Sequence, residues 1–153
     1  MCGLAGRFHA AALAPDPGWA GRADELLRHR GPDGAGRYTD QYCELVHRRL
    51  ALIDLSPRGA QPMTNEDGGI QVVYNGEIYN YADLRAALAR RGHVFKSTSD
   101  TEILVHLYEE EGESRAGAAG HFRVRHLRST PAPAAAGPRP LRREAVVLRR
   151  AGP

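Results

Sequence analysis

The sequence contains little cysteine and no long apolar run. Its 153 residues include two cysteines, Cys2 and Cys43, with no CxxC pair and no His-rich cluster. This usage fits a reducing compartment and predicts a cytoplasmic protein without a metal site. The mean hydropathy is −0.47, and no apolar run approaches the ~18 residues that span a bilayer. A signal-peptide pattern is missing from the first twenty residues, so we expect no membrane partner.

Charge is distributed unevenly along a chain of about one domain in length. Residues 1–113 hold 12 Lys and Arg against 17 Asp and Glu, a net charge of −5, whereas residues 114–153 hold nine Arg and one Glu, a net charge of +8. The pI of 9.1 would by itself suggest nucleic acid as a partner. Because the excess base is confined to the tail, the acidic body argues against nucleic-acid binding.

Apolar segments and turn signals alternate along the first three quarters of the chain. We predict strands at residues 2–8, 42–54, 70–74, 77–79 and 93–96, and helices at residues 19–29, 81–91 and 99–112. Asn75 and Gly76 form a strong hairpin signal, Gly92 has the position of a C′ glycine, and residues 99–102 have the form of a capping box. This order predicts a mixed α/β domain.

Cys2 stands directly behind the initiator methionine. Removal of Met1 is expected because the next side chain is small, and Cys2 would then carry both a thiol and a free α-amine. The amine can accept the proton of the thiol, as an N-terminal amine does for a threonine nucleophile. The alternative is that Cys2 is an ordinary small residue that begins a strand.

Four further polar positions each allow a plain structural interpretation. Arg49 can be an edge arginine of an apolar strand, and Asn75 with Gly76 can be only a tight turn. Glu77 can be a solvated strand residue, and Asp100 can be a charge that favours a helix N-terminus. Taken singly, none of these positions establishes a site.

Taken together, six segments resemble one family. They are MCG at the start, HRGPD at 29–33, HRRLALIDL at 47–55, QPM at 61–63, YNGEIYNY at 74–81 and TSDTE at 98–102. In this order they resemble the class II glutamine amidotransferases, and most closely the N-terminal domain of glutamine-hydrolysing asparagine synthetase. The resemblance covers residues 1–113. It implies an α+β fold, the αββα sandwich of the N-terminal-nucleophile hydrolases.

The resemblance also implies a role for each matching position. Cys2 would attack the side-chain amide of glutamine and form a γ-glutamyl thioester, with its α-amine as the base. Asn75 and Gly76 would form the oxyanion hole. Arg49 would bind the α-carboxylate of glutamine, and Asp100 with Glu77 would bind its α-ammonium group. The catalytic set is therefore expected to be Cys2, Asn75 and Gly76.

A loop and several partners follow from the same resemblance. Arg30, Gly31, Pro32 and Asp33 would close over bound glutamine. The glutaminase reaction would need no cofactor and would release ammonia for asparagine biosynthesis. ATP and Mg would belong only to a synthetase domain, and nothing here resembles its SGGxDS-type loop. Full-length relatives are expected to be homodimers.

Residues 114–153 depart from the family pattern. They are rich in Arg, Ala and Pro and contain no lysine, which predicts a non-homologous, disordered basic tail. Residues 120–128 resemble the family strand GMFAFAIYD read one frame off, so we interpret the tail as the product of a frameshift near Ser114. The sandwich is then expected to be truncated and incomplete, with exposed sheet edges.

Two alternatives remain open at this point. The domain can belong to another class II enzyme, since amidophosphoribosyltransferase and glucosamine-6-phosphate synthase share the N-terminal cysteine, although HRRLALIDLS with QPM favours the asparagine synthetase branch. The chain can also be a non-catalytic truncated product whose basic tail binds an acidic partner.

Overall fold

The computed structural model describes residues 1–8, 16–40, 43–111, 123–128 and 144–149. Its strands are β1 (Gly3–Phe8), β2 (Gly34–Thr39), β3 (Cys43–Arg49), β4 (Met63–Thr64), β5 (Ile70–Asn75), β6 (Arg123–Arg128) and β7 (Glu144–Arg149). Its helices are α1 (Trp19–Leu27), α2 (Tyr81–Arg90) and α3 (Thr101–Glu111), with single 3₁₀ turns at Arg28–Arg30 and Pro57–Gly59. No helix within these ranges has the length and apolar character to cross a membrane.

The first sheet has the strand order β1-β3-β2, and both pairings are antiparallel. Side chains of the central strand alternate between the two faces. Cys43 and Leu45 pack with Val73 of the second sheet. From the opposite face Arg48 reaches Asp24 of α1. Because both faces of β3 are covered, its first five residues, from Cys43 to His47, are buried without the usual polar alternation.

The second sheet has the order β4-β5-β7-β6. β5 lies antiparallel to β4 and β7, and β6 lies parallel to β7. The largest core cluster joins one face of β5 to α2 and α3, and its fully buried members include Val72, Tyr74, Ile103 and Val105. Val73 points the other way, toward the first sheet.

These contacts give four layers: α1, the first sheet, the second sheet, and the pair α2 and α3. β5 contacts β1 and β3 across the sheet interface, α1 contacts β3, and α3 contacts β5. The prediction of a mixed α/β domain is confirmed. The layers bring the ends of β1, β3 and β5 close to the loops that follow them.

α1 is attached to the first sheet by a buried carboxylate. Asp24 accepts hydrogen bonds from Arg48 Nε at 2.5 Å and Nη2 at 2.8 Å, and from Arg37 Nη2 at 2.9 Å. Burial opposes ionisation of Asp24, but the two guanidinium groups outweigh it and hold the pKa of the carboxyl below its usual value. The ion pairs therefore fix α1 over two neighbouring strands.

The predicted hairpin at Asn75-Gly76 is wrong. β5 ends at Asn75, and the chain continues through Ile78 into α2 without a return strand at 77–79. Both edges of β5 are already occupied by β4 and β7, and the Ile78 N–H is bound by the Asp100 carboxylate instead of a strand. A returning strand would have no free edge to pair with.

Other strand predictions also differ from the structure. Residues 93–96 are irregular, because the backbone N–H groups of Lys96 and Ser97 bind the Glu102 carboxylate at 2.7 and 2.8 Å. β2 and the short β4 were not predicted. β2 contains two glycines and alternates half-buried with exposed positions, so its apolar signal is weak.

Both helix boundary signals mark real boundaries. Gly92 has a φ of +101°, its N–H donates to Ala89 O at 3.1 Å, and the His93 N–H donates to Leu88 O at 3.2 Å, which confirms the predicted C′ glycine. α3 begins at Thr101, two residues after the predicted start at Ser99. The capping box differs in detail, because Glu102 binds the preceding loop and does not bind Ser99.

The tail contains two strands among its described residues. β7 pairs with β5 over six residues, and β6 pairs with β7. β7 lies along the edge of β5 opposite β4, and its segment EAVVLR has high β propensity. The remaining residues of 114–153 lie outside the described residues.

Gly36 of β2 packs closely on the backbone of Gln61. A Cβ on Gly36 would collide with the backbone carbonyl of Gln61, whereas a Cβ on Gly21 in α1 would meet nothing within 4 Å. We expect Gly36→Ala to reduce the free energy of unfolding by about 1–3 kcal/mol. Gly21→Ala should raise it by about 0.5–1 kcal/mol, since alanine is the better helix former. Urea unfolding of both variants measures this, and equal effects would contradict the packing argument.

Candidate active site

Cys2 lies at the end of the first sheet, next to Arg49. Its Sγ accepts a hydrogen bond from the Leu50 N–H at 3.3 Å and lies 3.6 Å from the Leu50 carbonyl oxygen. The following residue, Gly3, packs so closely on Arg30 that a Cβ there would approach the Arg30 Cβ to 3.3 Å. The half-buried thiol is therefore held between the end of β3 and the turn that follows α1.

Arg49 is the last residue of β3, and its guanidinium is turned toward the loop that follows. Nη1 donates to the Ser56 carbonyl at 2.8 Å, and Nη2 donates to the Asp54 carbonyl. Gly59 leaves room for this group, since a Cβ there would collide with Nη2. The loop carbonyls thus fix the guanidinium with two of its five N–H donors.

The segment 30–33 rests on the end of β3. The Asp33 N–H donates to the Arg49 carbonyl at 3.0 Å, and the Ala51 N–H donates to Asp33 Oδ2 at 2.9 Å. Gly31 is buried against the backbone of residues 48 and 49, where a Cβ would overlap the Arg48 carbonyl group. Pro32 between them is exposed. These contacts place the whole predicted closing segment beside Cys2.

Asp54 links this region to the second group of predicted residues. Its Oδ1 accepts from the Ser56 N–H and its Oδ2 from the Thr98 N–H, both at 2.8 Å. These hydrogen bonds, led by Ser56 and followed by Thr98, hold the pKa of the Asp54 carboxyl well below its usual value. The loop that holds Arg49 is therefore tied to the loop that carries Asp100.

Asp100 is buried beside the segment that follows β5. It is 5% exposed, and its Oδ2 accepts from the Ile78 N–H at 2.9 Å. Burial raises the pKa of Asp100, the backbone N–H groups of Ile78 and Thr101 oppose the rise, and the charge of Glu77 adds to it. The structure thus brings Asp100 and Glu77 together.

Asn75 and Gly76 occupy the connection between β5 and α2. Asn75 ends the strand and is half-buried, whereas Gly76 is exposed. Gly76 lies against the ring of Tyr74, which a Cβ would strike. The predicted residues therefore form two groups, one around Cys2 and Arg49 and one around Asn75 and Asp100, joined through Asp54.

A cleft of about 280 Å³ opens between the start of β2, the end of β3 and the loop of residues 55–61. It is lined by Asp33, Gly34, Ala35, His47, Arg49, Leu55, Pro57, Ala60 and Gln61. This volume is at the small end of the range for ligand pockets, so the cleft suits a small polar molecule. Asp33 and Arg49 of the predicted set line it directly.

Gln61 belongs to the QPM motif at 61–63, but the sequence predicted no role for it. It is buried, its Oε1 accepts from the Tyr74 N–H at 2.6 Å, and its Nε2 donates to Thr101 Oγ1 at 3.1 Å. The side chain thereby joins β5 to the start of α3. Its place beside a proline in a loop gave no signal for such a bridge.

His47 is a second residue that sequence reasoning did not single out. It is 0% exposed and lines the cleft. Within the described part of the chain neither ring nitrogen makes a hydrogen bond of normal geometry. Burial lowers the pKa of His47 to about 4; the Tyr74 backbone opposes this shift, and the positive charge of Arg49 adds a smaller lowering contribution. The imidazole is therefore neutral at neutral pH.

The fold agrees with a family match. The profile described as the glutamine amidotransferase domain matches residues 1–124. The chain therefore belongs to the glutamine amidotransferase domain family. The match extends past Glu113, where the sequence had placed the boundary.

Three individual relatives show which members of the family the chain is similar to. It is 47% identical over 116 residues to "Asparagine synthetase [glutamine-hydrolyzing] 2" of Bacillus subtilis (strain 168), covering 73% of this chain and 15% of that protein. It is 51% identical over 87 residues to the protein of that name from Oryza sativa subsp. japonica, covering 57% and 14%. It is 52% identical over 88 residues to "Asparagine synthetase [glutamine-hydrolyzing]" of Sandersonia aurantiaca, covering 58% and 16%. The chain thus spans a small N-terminal share of these relatives.

The lowered pKa of His47 predicts acid sensitivity. In the unfolded chain the His47 imidazole is protonated near pH 6.5, whereas in the folded chain it stays neutral down to about pH 4. Stability present above pH 6.5 is therefore lost as the pH falls through that window, by about 3 kcal/mol for this one group. His47→Gln should remove most of this loss, as measured by urea unfolding at pH 7 and pH 4.5. The exposed control His29→Gln should retain it, and equal acid sensitivity in both variants would refute the assignment.

Proposed function

We propose that this chain is the glutamine-hydrolysing portion of an asparagine synthetase-like amidotransferase. The Cys2 sulfur lies on the backbone of Leu50, directly after Arg49, which lines the cleft; this position carries the proposal. The family match and the names of the relatives support it. The layer order of helix, two sheets and helices further supports the αββα architecture of the N-terminal-nucleophile hydrolases.

Cys2 supplies both nucleophile and base once Met1 is removed. Met1 is 61% exposed, so a processing enzyme can reach it. The sulfur attacks the side-chain amide carbon of glutamine while the α-amine takes the thiol proton. The amine then gives a proton to the leaving nitrogen, which departs as ammonia and leaves a γ-glutamyl thioester. Water releases glutamate and restores the thiol.

Asn75 and Gly76 stabilise the negative oxygen of the tetrahedral intermediate. The Asn75 side-chain amide and the Gly76 N–H are the donors, and an oxyanion donor is typically worth about 3 kcal/mol in the transition state. Gly76 is exposed at the end of β5, where no side chain of its own blocks approach to its N–H. The close packing of Tyr74 beneath Gly76 limits the movement of this turn.

The two charged groups of free glutamine are bound by separate loops. Arg49 binds the α-carboxylate with the N–H donors that the loop carbonyls do not use, and its planar fork suits this better than lysine. Asp100 with Glu77 binds the α-ammonium, whose positive charge offsets the cost of the buried carboxylate. Arg30, Gly31, Pro32 and Asp33 close over the substrate from the side of Cys2.

Glutamine hydrolysis in this portion uses no cofactor, because one residue supplies both reactive groups. The ammonia serves asparagine synthesis. ATP and Mg belong to the synthetase region of the longer relatives, which this chain does not span, since it covers 15% of the length of the Bacillus subtilis protein.

Cys2→Ala should abolish glutaminase activity, measured as glutamate formed from glutamine. A chloroketone analogue of glutamine should label the wild-type chain once, at Cys2, as read by peptide mass spectrometry. Cys43→Ala is the matched control and should keep both activity and labelling, because burial raises the pKa of the Cys43 thiol to about 12 and keeps it unreactive. Labelling of Cys2→Ala, or retained turnover, would end the nucleophile assignment.

Asp100→Asn should weaken glutamine binding and also stabilise the fold. Loss of the ammonium partner should raise KM for glutamine roughly 10- to 100-fold. The raised pKa of Asp100 means that stability is lost as the pH rises from 3.8 through the folded-state pKa, so the ionised group destabilises the fold at pH 7. Asparagine can still accept from Ile78, and the variant should gain about 0.5–2 kcal/mol in urea unfolding. The exposed control Asp83→Asn should change neither quantity, and a destabilised Asp100→Asn with normal KM would contradict both roles.

A further inference from the structure

A cluster of two histidines and a glutamate lies outside the candidate active site. We propose that His93, His106 and Glu109 form a binding site for a divalent transition-metal ion, best suited to Zn²⁺. One donor atom from each residue lies within 4.8 Å of the other two. The three side chains are largely buried, at 16%, 3% and 21% exposure, so a bound ion would be shielded from bulk solvent.

The backbone holds all three residues in fixed positions. His106 and Glu109 are one turn apart on α3, and side chains three residues apart share a helix face. His93 directly follows the C′ glycine of α2, where its N–H is bound to the Leu88 carbonyl at 3.2 Å. The site would therefore join the end of one helix to the middle of the next.

The donor separations fit a single ion. His106 Nδ1 lies 2.8 Å and His93 Nδ1 lies 3.5 Å from the same oxygen, Glu109 Oε2. Zn²⁺ binds these donor types at about 2.0–2.2 Å, so neighbouring donors in a tetrahedral site are roughly 3.3 Å apart. The two observed separations bracket this value. The third separation, between the nitrogens of the two histidines, is no more than 4.8 Å.

The atoms that would not bind the ion are anchored by other side chains. His93 Nε2 lies 3.0 Å from Glu110 Oε1, and Asn65 Nδ2 donates to Glu109 Oε1 at 2.9 Å. This leaves His93 Nδ1 and Glu109 Oε2 directed at one another. Metal-binding histidines usually donate their second N–H to a carboxylate in this way, which fixes the tautomer and orientation of the ring.

His106 has a similar but looser arrangement. Its Nε2 is buried without a hydrogen-bond partner among the described residues, and Glu102 Oε1 lies 3.9 Å away. Glu102 is itself held by Lys96 and Ser97. Binding of an ion at Nδ1 would place the proton on Nε2, facing this carboxylate.

The ligand types favour zinc among the common ions. Two imidazoles and one carboxylate suit Zn²⁺, Ni²⁺ or Cu²⁺, whereas Mg²⁺ and Ca²⁺ prefer oxygen donors alone. Three protein ligands leave the fourth position to water. Twelve residues separate the two histidines in sequence, and no short motif joins them, which is why the sequence predicted no metal. Because the site connects α2 to α3, a bound ion should stabilise the fold.

The test is zinc binding to the full 153-residue chain after removal of metals with EDTA. Titration with Zn²⁺ against a chromophoric chelator should show one equivalent bound, and the thermal unfolding midpoint should rise with the zinc concentration. Co²⁺ in place of zinc should give visible absorption of the strength expected for four-coordinate nitrogen and oxygen ligands. His93→Gln and Glu109→Gln should each weaken zinc binding by at least roughly 10- to 100-fold. That is the loss seen when a residue that hydrogen-bonds to a metal ligand is replaced.

Control variants distinguish this site from adventitious binding. His29→Gln removes an exposed histidine elsewhere, and Cys2→Ala removes the accessible thiol; both should keep the bound equivalent and the rise in midpoint. His93 lies on a surface turn, so its variant should still fold, which circular dichroism checks. Unchanged zinc affinity in a folded His93→Gln variant, or loss of binding in Cys2→Ala alone, would overturn the proposal.

Discussion

The carboxylate of Asp54 holds the two halves of the candidate site in register. It receives the backbone N–H groups of Ser56 and Thr98, while its own carbonyl accepts from Arg49. One residue therefore connects the end of the first sheet to the loop before α3. Without it, the N–H groups of half-buried Ser56 and exposed Thr98 would lose their common acceptor. The relative position of the loop that holds Arg49 and the loop that carries Asp100 depends on this link.

Two buried groups of the candidate site lower the stability of the fold. His47 is buried without hydrogen bonds of normal geometry within the described residues, and Asp100 is a buried carboxylate whose pKa is raised. Each lowers the stability of the fold relative to an apolar or neutral residue of the same size. Gln61 shows the opposite case, because both ends of its amide are hydrogen-bonded. Buried groups that lower stability are typical of a functional site, and His47 lines the cleft itself.

Local sequence signals predicted the fold wherever the physical cause was itself local. Gly92 ends α2 because its own backbone adopts a positive φ, and a glycine after an apolar helix pattern predicts this. Asn75-Gly76 failed because hairpin formation needs a free strand edge, and β4 and β7 occupy both edges of β5. Glu102 likewise serves a loop that sequence spacing cannot identify.

The candidate site, like the fold, could be predicted from the sequence only where the cause is local. Sequence patterns named Arg49 and Asp100, but the bridges made by Asp54 and Gln61 connect residues about forty positions apart. No periodicity or spacing encodes such a contact. The motifs that contain Asp54 and Gln61 were matched to the family by their letters alone. The physical reason for these two residue types is visible only once β3, β5 and α3 are packed together.

The extent of the folded domain is decided by strand pairing. β4 pairs with β5 at two positions, whereas β7 pairs with it at six, from Ile70 opposite Arg149 to Asn75 opposite Glu144. Most inter-strand hydrogen bonds of β5 therefore come from a strand beyond Glu113. β5 also carries Asn75 at its end and Tyr74 in the core. An unpaired β5 edge would invite association with other chains, and β7 covers the edge of β5 opposite β4.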